Sequence, residues 1–266
     1  MMPKISVLMS VRNGEKYLHK SIPSILSQSF KDFEFIICDD GSTDKTLDVL
    51  ISYQSQDNRI VILRNEKSMG LAYSLNLCIK NSKSNILARQ DADDYSEPNR
   101  LEKQYSFVID NPQYAIVGTC WYNVFSDGRK VKNPVKELPA AINQVKGGLY
   151  MHPSWMMRKD QLAKVDFYTV NRHTLRSQDY HLVMKVLGAG MKLYNMQEYL
   201  YDYTMDERTM GRSRNWRRVK DLMWIRWDAY RRNHLPLWCY IYIFKPVLTN
   251  ILPKSLMFWY YQKGSK

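Results

Sequence analysis

Strand-like and helix-like segments alternate through roughly the first 110 residues, and this alternation restricts the possible folds more than any other feature of the chain. Four short apolar runs predict buried strands at Ile5–Val11, Phe33–Cys38, Ile60–Leu63 and Ile86–Ala88. The segments between them repeat their apolar residues at helical spacing. Strands that are separated by helices predict an α/β fold with a doubly wound, mostly parallel sheet flanked by helices.

The middle of the chain, about residues 113–205, continues this pattern without a linker-like run of Gly, Ser and Pro and without an internal repeat. Ala115–Gly118 predicts another strand, Asp127-Gly128 predicts a hairpin turn, and Ser177–Leu182 predicts the start of a helix. This half is therefore expected to complete the domain whose first half covers about residues 1–112.

Residues 206–266 differ in composition from residues 1–205 and are expected to form a helical appendage. The first part, Arg212–Arg232, is basic and rich in Trp, whereas the second part, Leu235–Tyr261, is aromatic and interrupted by prolines. No run approaches the ~20 apolar residues that a membrane-spanning helix needs. Aromatic side chains beside cations are typical of helices that lie in the headgroup region of a bilayer, and a helical pair packed on the domain is the alternative.

The net charge of +13 indicates an anionic partner, such as a phosphorylated substrate, a nucleic acid or a membrane surface. The N-terminal residues lead at once into the strand-like run Ile5–Val11, which is too short and too mixed for a signal peptide. The four cysteines stand far apart in apolar stretches, and this predicts free buried thiols in a reducing compartment. Together these features predict a cytoplasmic protein.

Polar residues follow three of the predicted strands at the point where each strand ends. Arg12 and Asn13 follow the first strand, Asp39 and Asp40 end the second, and Asp91–Asp94 follows the fourth. A solvated acidic turn would explain Asp91–Asp94 alone, but it would not explain three polar strand ends. Doubly wound sheets bind ligands beyond the carboxyl ends of their strands. Because neighbouring carboxylates repel one another unless a cation lies between them, we expect a site for Mg²⁺ or Mn²⁺ there.

Three ordered motifs, Ser6–Leu18, Asp39–Asp44 and Asp91–Asp94, resemble those of the family 2 glycosyltransferases with the GT-A fold. The resemblance is close over roughly the first 110 residues and looser to about residue 205. It implies a metal-dependent, inverting enzyme that moves a sugar from a nucleoside diphosphate sugar, usually a UDP-sugar, to a hydroxyl of a glycan or a lipid-linked saccharide. Bacterial members build surface polysaccharides such as capsule and O-antigen, which places the enzyme at the inner face of the cell membrane as a peripheral protein.

The resemblance also implies roles for individual residues. Asp93 would bind Mn²⁺ or Mg²⁺, Asp179 would be the catalytic base, and His152 would line the acceptor site. The residues that contact the nucleotide sugar would be Ser10, Arg12, Asp40, Asp91 and Ala92.

Other interpretations remain open at the level of sequence. Spacing alone favours the interpretation that Asp179 is an acidic residue that stabilises a helix N-terminus, and only the upstream motifs favour the catalytic role. A nucleotidyltransferase also uses carboxylates and Mg²⁺, but it is expected to carry a Gly-rich phosphate loop, and Arg12-Asn13-Gly14 has a single Gly. The charge also allows a nucleic-acid-binding or membrane-binding protein without catalysis, although no RRM, KH, helix-turn-helix or zinc pattern is present.

Overall fold

A computed structural model describes residues 2–145, 150–205 and 215–251. The strands are β1 (Ile5–Val11), β2 (Phe33–Asp39), β3 (Ile60–Arg64), β4 (Ile86–Arg89), β5 (Tyr95–Ser96), β6 (Tyr114–Phe125), β7 (Lys130–Asn133), β8 (Met156–Arg158) and β9 (Lys192–Met205). The α-helices are α1 (Glu15–Leu26), α2 (Thr46–Gln56), α3 (Leu71–Asn81), α4 (Arg100–Asp110), α5 (Lys159–Ala163), α6 (Gln178–Gly188), α7 (Trp216–Arg232) and α8 (Lys245–Ile251). Short 3₁₀ segments occur at Ala141–Gln144, His152–Ser154 and Leu237–Phe244.

These strands form one mixed sheet in the order β3-β2-β1-β4-β8-β6-β9-β5, with β7 paired to β6. The first four strands are parallel, as the alternation of strands and helices predicts. The second half differs, because β8 runs antiparallel between β4 and β6, and β9 is parallel to β6 but antiparallel to β5. The predicted fold class is confirmed: the strands of the first half are all parallel to one another, and the second half is mixed.

Helices cover both faces of the parallel half, because successive strand residues point to opposite sides. Val7 and Phe35 face a core that includes Leu18 of α1 and Leu50 of α2. Leu8 and its neighbours face a second core that includes residues of α3 and α6. This burial on both faces leaves the ends of the strands as the edges open to a ligand.

Some element boundaries differ from the sequence predictions. The strand predicted at Ala115–Gly118 extends over all of β6, and it continues past Phe125 through a turn at Gly128, with φ +84°, into β7. The hairpin predicted at Asp127-Gly128 is thus confirmed. The sequence also predicts a helix that opens at Pro98, whereas α4 begins at Arg100 after the N-cap Asn99.

The C-terminal appendage is helical over the residues that the structure describes. Helix α7 packs against α6, and the 3₁₀ segment Leu237–Phe244 packs on α7. A small core joins them, consisting of Val145, Met184, Ala229, Tyr230, Cys239 and Ile243. In residues 2–145, 150–205 and 215–251, no helix combines the length and apolarity needed to cross a bilayer. The part of the aromatic segment that follows Ile251 lies outside the described residues.

Candidate active site

The carboxyl ends of β2, β1 and β4 lie side by side, and their loops interlock. The N–H of Asp40 donates to the carbonyl of Val11 at 2.8 Å, and the N–H of Gln90 donates to the carbonyl of Leu8 at 3.0 Å. Gly14 allows the loop after β1 to turn tightly against the end of this strand, because a Cβ at this position would clash with Cγ2 of Val11. The three polar strand ends therefore meet at one edge of the sheet, as the sequence predicts.

The acidic turn after β4 brings three carboxylates together. Oxygen atoms of Asp91, Asp93 and Asp94 lie within 4.8 Å of one another. The buried carboxamide of Gln90 holds this turn by donating to the carbonyls of Asp91 at 3.1 Å and Asp94 at 3.2 Å. The hydroxyl of Ser96 fixes that carboxamide by donating to Oε1 of Gln90 at 2.6 Å.

Strand β9 supports the same turn from the second half of the domain. The N–H of Thr204 donates to Oδ1 of Asp94 at 2.8 Å, and its hydroxyl donates to the carbonyl of Asp93 at 2.6 Å. The N–H of Asp91 donates to the phenolic oxygen of Tyr201 at 3.2 Å. The turn is thus fixed before any ligand binds, because its backbone and buried carboxylate are held from two sides.

The three carboxylates fit a divalent cation. Burial, and then the charges of Asp91 and Asp93, raise the pKa of Asp94 well above its usual range. Its Oδ2 is buried without a hydrogen-bond partner among the described residues. A hard cation prefers such an oxygen donor set and would offset this repulsion. The family resemblance implies Asp93 alone as the metal ligand, whereas the geometry offers Asp91 and Asp94 as well.

Arg89 lies beneath the acidic turn and was not identified as a site residue from the sequence. Only 1% of its side chain is exposed, and its Nη2 lies 2.6 Å from Oδ1 of Asp91. Burial opposes the charge of Arg89, but Asp91 offsets this effect and raises the pKa of the guanidinium. An arginine inside the apolar strand β4 was the available signal, because buried charges are normally paired.

Asp179 is brought to the same site from the other half of the chain. It lies in the first turn of α6. Burial raises the pKa of its carboxyl, the charge of Arg89 lowers it, and the charge of Asp91 raises it. The carboxyl of Asp179 is thus close enough to Asp91 and Arg89 to interact with their charges, although 88 residue positions separate it from Asp91.

Asp40 ends β2 with both carboxylate oxygens occupied. Oδ1 accepts from Asn65 at 2.8 Å, the N–H of Met69 at 2.8 Å and Ser74 at 3.0 Å, and Oδ2 accepts from Ser68 at 2.8 Å and the N–H of Gly70 at 3.0 Å. Burial alone would raise the pKa of Asp40, but these hydrogen bonds lower it. Its evident role is to hold the loop 65–70, so a base could bind Asp40 only by displacing one of these donors.

Ser10 and Arg12 lie at the end of β1, next to β2. Ser10 is half-buried and pairs with Cys38, whereas Arg12 is exposed immediately past the strand. Asn13 joins this loop to the loop after β2, since its N–H donates to Oγ of Ser42 at 2.9 Å. Both predicted nucleotide contacts therefore stand at the correct edge of the sheet, outside the acidic cluster.

The structure corrects the expected place of His152 in the acceptor site. Only 7% of the residue is exposed, and its Nε2 lies 2.7 Å from the phenolic oxygen of Tyr168. Burial and the charge of Arg89 lower the pKa of His152 well below its usual range. The ring also packs edge-on against Trp155, so it supports the site from inside instead of lining its surface.

The sheet has a parallel first half and a mixed second half, and an acidic turn follows β4. This combination defines a glycosyltransferase of the GT-A fold. The chain resembles S. aureus TarS 1-349 in complex with UDP-GlcNAc, with a TM-score of 0.69 and 19% identity, over 85% of this chain and 66% of that one. It also resembles the mannosyltransferase PcManGT from Pyrobaculum calidifontis in complex with GDP-Man and Mn²⁺, with a TM-score of 0.68 and 14% identity, over 100% and 80% of the two chains. At 19% and 14% identity, these two structural similarities establish the fold alone.

Sequence similarity establishes the family. Residues 6–166 match Glycosyl transferase family 2, and the chain belongs to this family. It is 37% identical over 262 residues to the putative glycosyltransferase EpsE of Bacillus subtilis, covering 98% of this chain and 94% of EpsE. It is 32% identical over 214 residues to the O-antigen biosynthesis glycosyltransferase WbnJ of Escherichia coli, covering 79% and 82%. Family membership removes the nucleotidyltransferase and the non-catalytic binding protein as interpretations.

Proposed function

We propose that this glycosyltransferase is a metal-dependent, inverting enzyme that transfers a sugar from a UDP-sugar to a hydroxyl of a glycan or lipid-linked saccharide during assembly of a surface polysaccharide. The observation that carries the proposal is the cluster of Asp91, Asp93 and Asp94 at one edge of the sheet, and Asp179 is near enough to this cluster for the charge of Asp91 to affect the pKa of its carboxyl. The similarity to WbnJ supports the kind of pathway. TarS and PcManGT hold UDP-GlcNAc and GDP-Man respectively, so the base must be identified by experiment.

On the donor side, the acidic turn would hold the cation and the ends of β1 and β2 would hold the nucleotide. A divalent ion bound by Asp91, Asp93 and Asp94 supplies the positive charge that a diphosphate leaving group requires. Ser10 and Arg12 at the end of β1, and Asp91 and Ala92 in the acidic turn, would contact the nucleotide sugar. The base contact predicted for Asp40 stays a prediction, and it requires the hydroxyl of Ser68 to turn away.

On the acceptor side, Asp179 would act as the general base. The acceptor oxygen bonds to the anomeric carbon while the bond from that carbon to the diphosphate oxygen breaks, and the hydroxyl proton passes to Asp179. One displacement inverts the anomeric centre. The raised pKa of Asp179 suits this role, because a more basic carboxylate takes a proton more readily. Backbone hydrogen bonds at the start of α6, and then the charge of Arg89, limit this rise of the pKa of Asp179.

The decisive experiment separates donor binding from transfer. We expect UDP with Mn²⁺ to raise the melting temperature more than either alone, and a panel of nucleotide sugars to reveal the donor by nucleotide release. Asp179→Asn is expected to lower the rate of transfer by about 10²–10⁴-fold with UDP affinity unchanged. Asp110→Asn, at the exposed end of α4, is the matched control. Transfer by Asp179→Asn at the wild-type rate would show that another group is the base.

We also propose that the appendage binds the inner face of the membrane. Six large apolar residues recur at short spacing along it and expose more than half of their surface, namely Leu237, Trp238, Ile241, Phe244, Leu248 and Ile251. Exposed cations of α7, among them Arg217, Lys220 and Arg231, lie in the preceding segment. Apolar side chains next to cations favour an anionic bilayer surface.

Vesicle sedimentation tests this membrane proposal. Ile241→Asn with Leu248→Asn is expected to weaken binding to vesicles that contain anionic lipid by roughly tenfold or more, because two apolar side chains leave the bilayer. Ile51→Asn changes an exposed apolar residue on α2, outside the appendage, and serves as the control. Equal sedimentation of the double variant and the control would place the membrane contact elsewhere.

A further inference from the structure

A left-handed turn precedes α6 and determines where Asp179 stands. Ser177, directly before the helix, has φ 67° and ψ 27°, a conformation that residues with a Cβ seldom adopt. Asp179 is the second residue of that helix. A turn of this kind persists only where its surroundings hold it, so the contacts on both sides of Ser177 bear directly on the position of the Asp179 carboxylate.

Helix α7 holds the chain on both sides of this turn through two histidines. Upstream, Nδ1 of His173 lies 2.8 Å from Oδ1 of Asp221. Downstream, Nε2 of His181 lies 3.1 Å from Oδ2 of Asp228. Asp228 also accepts a hydrogen bond from Nε of Arg232 at 2.6 Å. The two aspartates are about two helical turns apart on α7, so one face of this helix reaches both histidines.

Trp224 fills the space between the two histidines. Its ring stacks on His173 with centroids 4.8 Å apart and planes at 18°, and on His181 with centroids 5.9 Å apart and planes at 30°. Trp224 lies between Asp221 and Asp228 in sequence, at the spacing that puts all three on one face of the helix. We call this group of five residues, His173, His181, Asp221, Trp224 and Asp228, the α7 clamp.

The rest of α7 is fixed to α6 independently of the clamp. The carboxamide of Asn233 donates to the carbonyl of Met184 at 2.9 Å, near the C-terminal end of both helices. The guanidinium of Arg226 lies 5.8 Å from the centre of the Tyr180 ring. These contacts anchor α7 along α6, and the clamp adds contacts to the chain on both sides of Ser177.

We infer that the α7 clamp positions Asp179 for proton transfer, so that Trp224, His173 and His181 are positioning residues for the reaction. The inference rests on the proposed role of Asp179 as the general base. None of the clamp residues needs to touch the substrate, because they act by fixing the chain on either side of Ser177. A displacement of about 1 Å in a reacting group can lower a rate by as much as about 10²-fold.

The main test replaces Trp224 in the full-length chain. Trp224→Leu is expected to lower kcat for transfer by roughly 10–100-fold while KM for the donor and the affinity for UDP stay within about twofold. Trp224→Phe keeps a stacking ring and is expected to restore most of kcat. Trp227→Leu removes an exposed tryptophan from the same helix, outside the clamp, and should leave kcat unchanged.

A double-variant cycle shows whether the clamp acts through Asp179. In the Asp179→Asn background, Trp224→Leu should cause no further loss of transfer, because the group that it positions is already absent. Asp221→Asn keeps the size of the side chain and removes only the charged partner of His173. We expect it to lower kcat by about threefold or more in the same manner, and it provides the test if Trp224→Leu does not fold.

The outcomes separate this inference from the proposed function. Loss of transfer in Asp179→Asn together with a Trp224→Leu variant that matches Trp227→Leu would overturn the clamp alone. A parallel loss of UDP affinity and kcat in Trp224→Leu, without rescue by Trp224→Phe, would also overturn it, because that result reports general damage to the fold. Wild-type transfer by Asp179→Asn would overturn the base assignment itself.

Discussion

Asp40 illustrates, at the scale of single residues, how one carboxylate can organise a loop. It accepts five hydrogen bonds, all from residues between Asn65 and Ser74. In Asp40→Asn the amide nitrogen cannot accept the bonds made to one of the two oxygens, and the charge that strengthens the others is lost. We expect the free energy of unfolding to fall by about 2–4 kcal/mol, measured by urea denaturation.

Asp32→Asn is the control for this substitution, because Asp32 is an exposed aspartate just before the same strand. Its effect should stay within about 0.5 kcal/mol. Equal losses in the two variants would mean that the hydrogen bonds to Asp40 contribute nothing beyond those of a surface carboxylate.

The sequence was sufficient to identify residues capable of catalysis or ligand binding, but not the residues that contact them. Asp40, Asp93 and Asp179 could be named from motifs, because their types and order resemble those of a known family. The donors to Asp40 lie 25 to 34 positions further along the chain, and their approach depends on how β3 and α3 pack. Arg89 was missed for the same reason, since its importance appears only when its burial and its contact with Asp91 are known.

At the scale of elements, Gly41 joins the loop after β2 to the loop after β3. It has φ +68°, and a Cβ there would lie 2.7 Å from the backbone carbon of Lys67. Gly128 has φ +84°, yet a Cβ there would meet nothing within 4 Å. At both positions, alanine would lose about 1 kcal/mol of stability because its backbone must stay in the left-handed region. Only Gly41→Ala adds a steric clash, and overpacking of this kind costs about 1–3 kcal/mol more.

Gly41→Ala is therefore expected to be less stable than Gly128→Ala by about 1–3 kcal/mol in chemical denaturation. It should also weaken UDP binding, because the two loops that it separates flank the predicted nucleotide pocket. Matching stabilities of the two variants would show that the loop after β3 moves aside without cost.

The elements of the first half follow from sequence, and those of the second half follow less well. The parallel strands of the first half are mostly apolar, and β1 and β2 are buried along nearly their whole length. Strand β8 is three residues long and lies between β4 and β6, so no local pattern indicates its antiparallel pairing. Strand β6 carries register shifts against β9, and these irregularities depend on tertiary packing.

At the scale of the whole molecule, the site depends on contacts between distant parts of the chain. Thr204 holds Asp94 across 110 positions, and His152 is buried against Tyr168 and close to Arg89. These links bury several titratable groups. A histidine whose pKa is lowered by burial and a carboxyl whose pKa is raised by burial change stability with pH in opposite directions, so their effects are separated best by substitution.

The direction in which His152 changes the stability of the protein with pH follows from its lowered pKa. Burial and the charge of Arg89 favour the neutral ring in the folded state, so the folded protein binds fewer protons than the unfolded chain below the ordinary value of 6.5. The stability that neutral His152 contributes is fully present above 6.5 and is lost as pH falls from there through the folded pKa. Asp94 and Asp179, whose pKa values are raised, change stability in the opposite direction as pH falls.

His152→Gln removes this titration while it keeps a polar side chain beside Tyr168. The variant should be less stable than the wild type at about pH 7.5, and the difference should shrink as pH falls towards about 5, by up to about 1.4 kcal/mol per pH unit. Urea denaturation at a series of pH values, with His234→Gln as a control for the loss of an exposed imidazole, measures this change. A difference between His152→Gln and wild type that stays constant with pH would mean that His152 titrates alike in the folded and unfolded chains, which its burial against Tyr168 and Trp155 argues against.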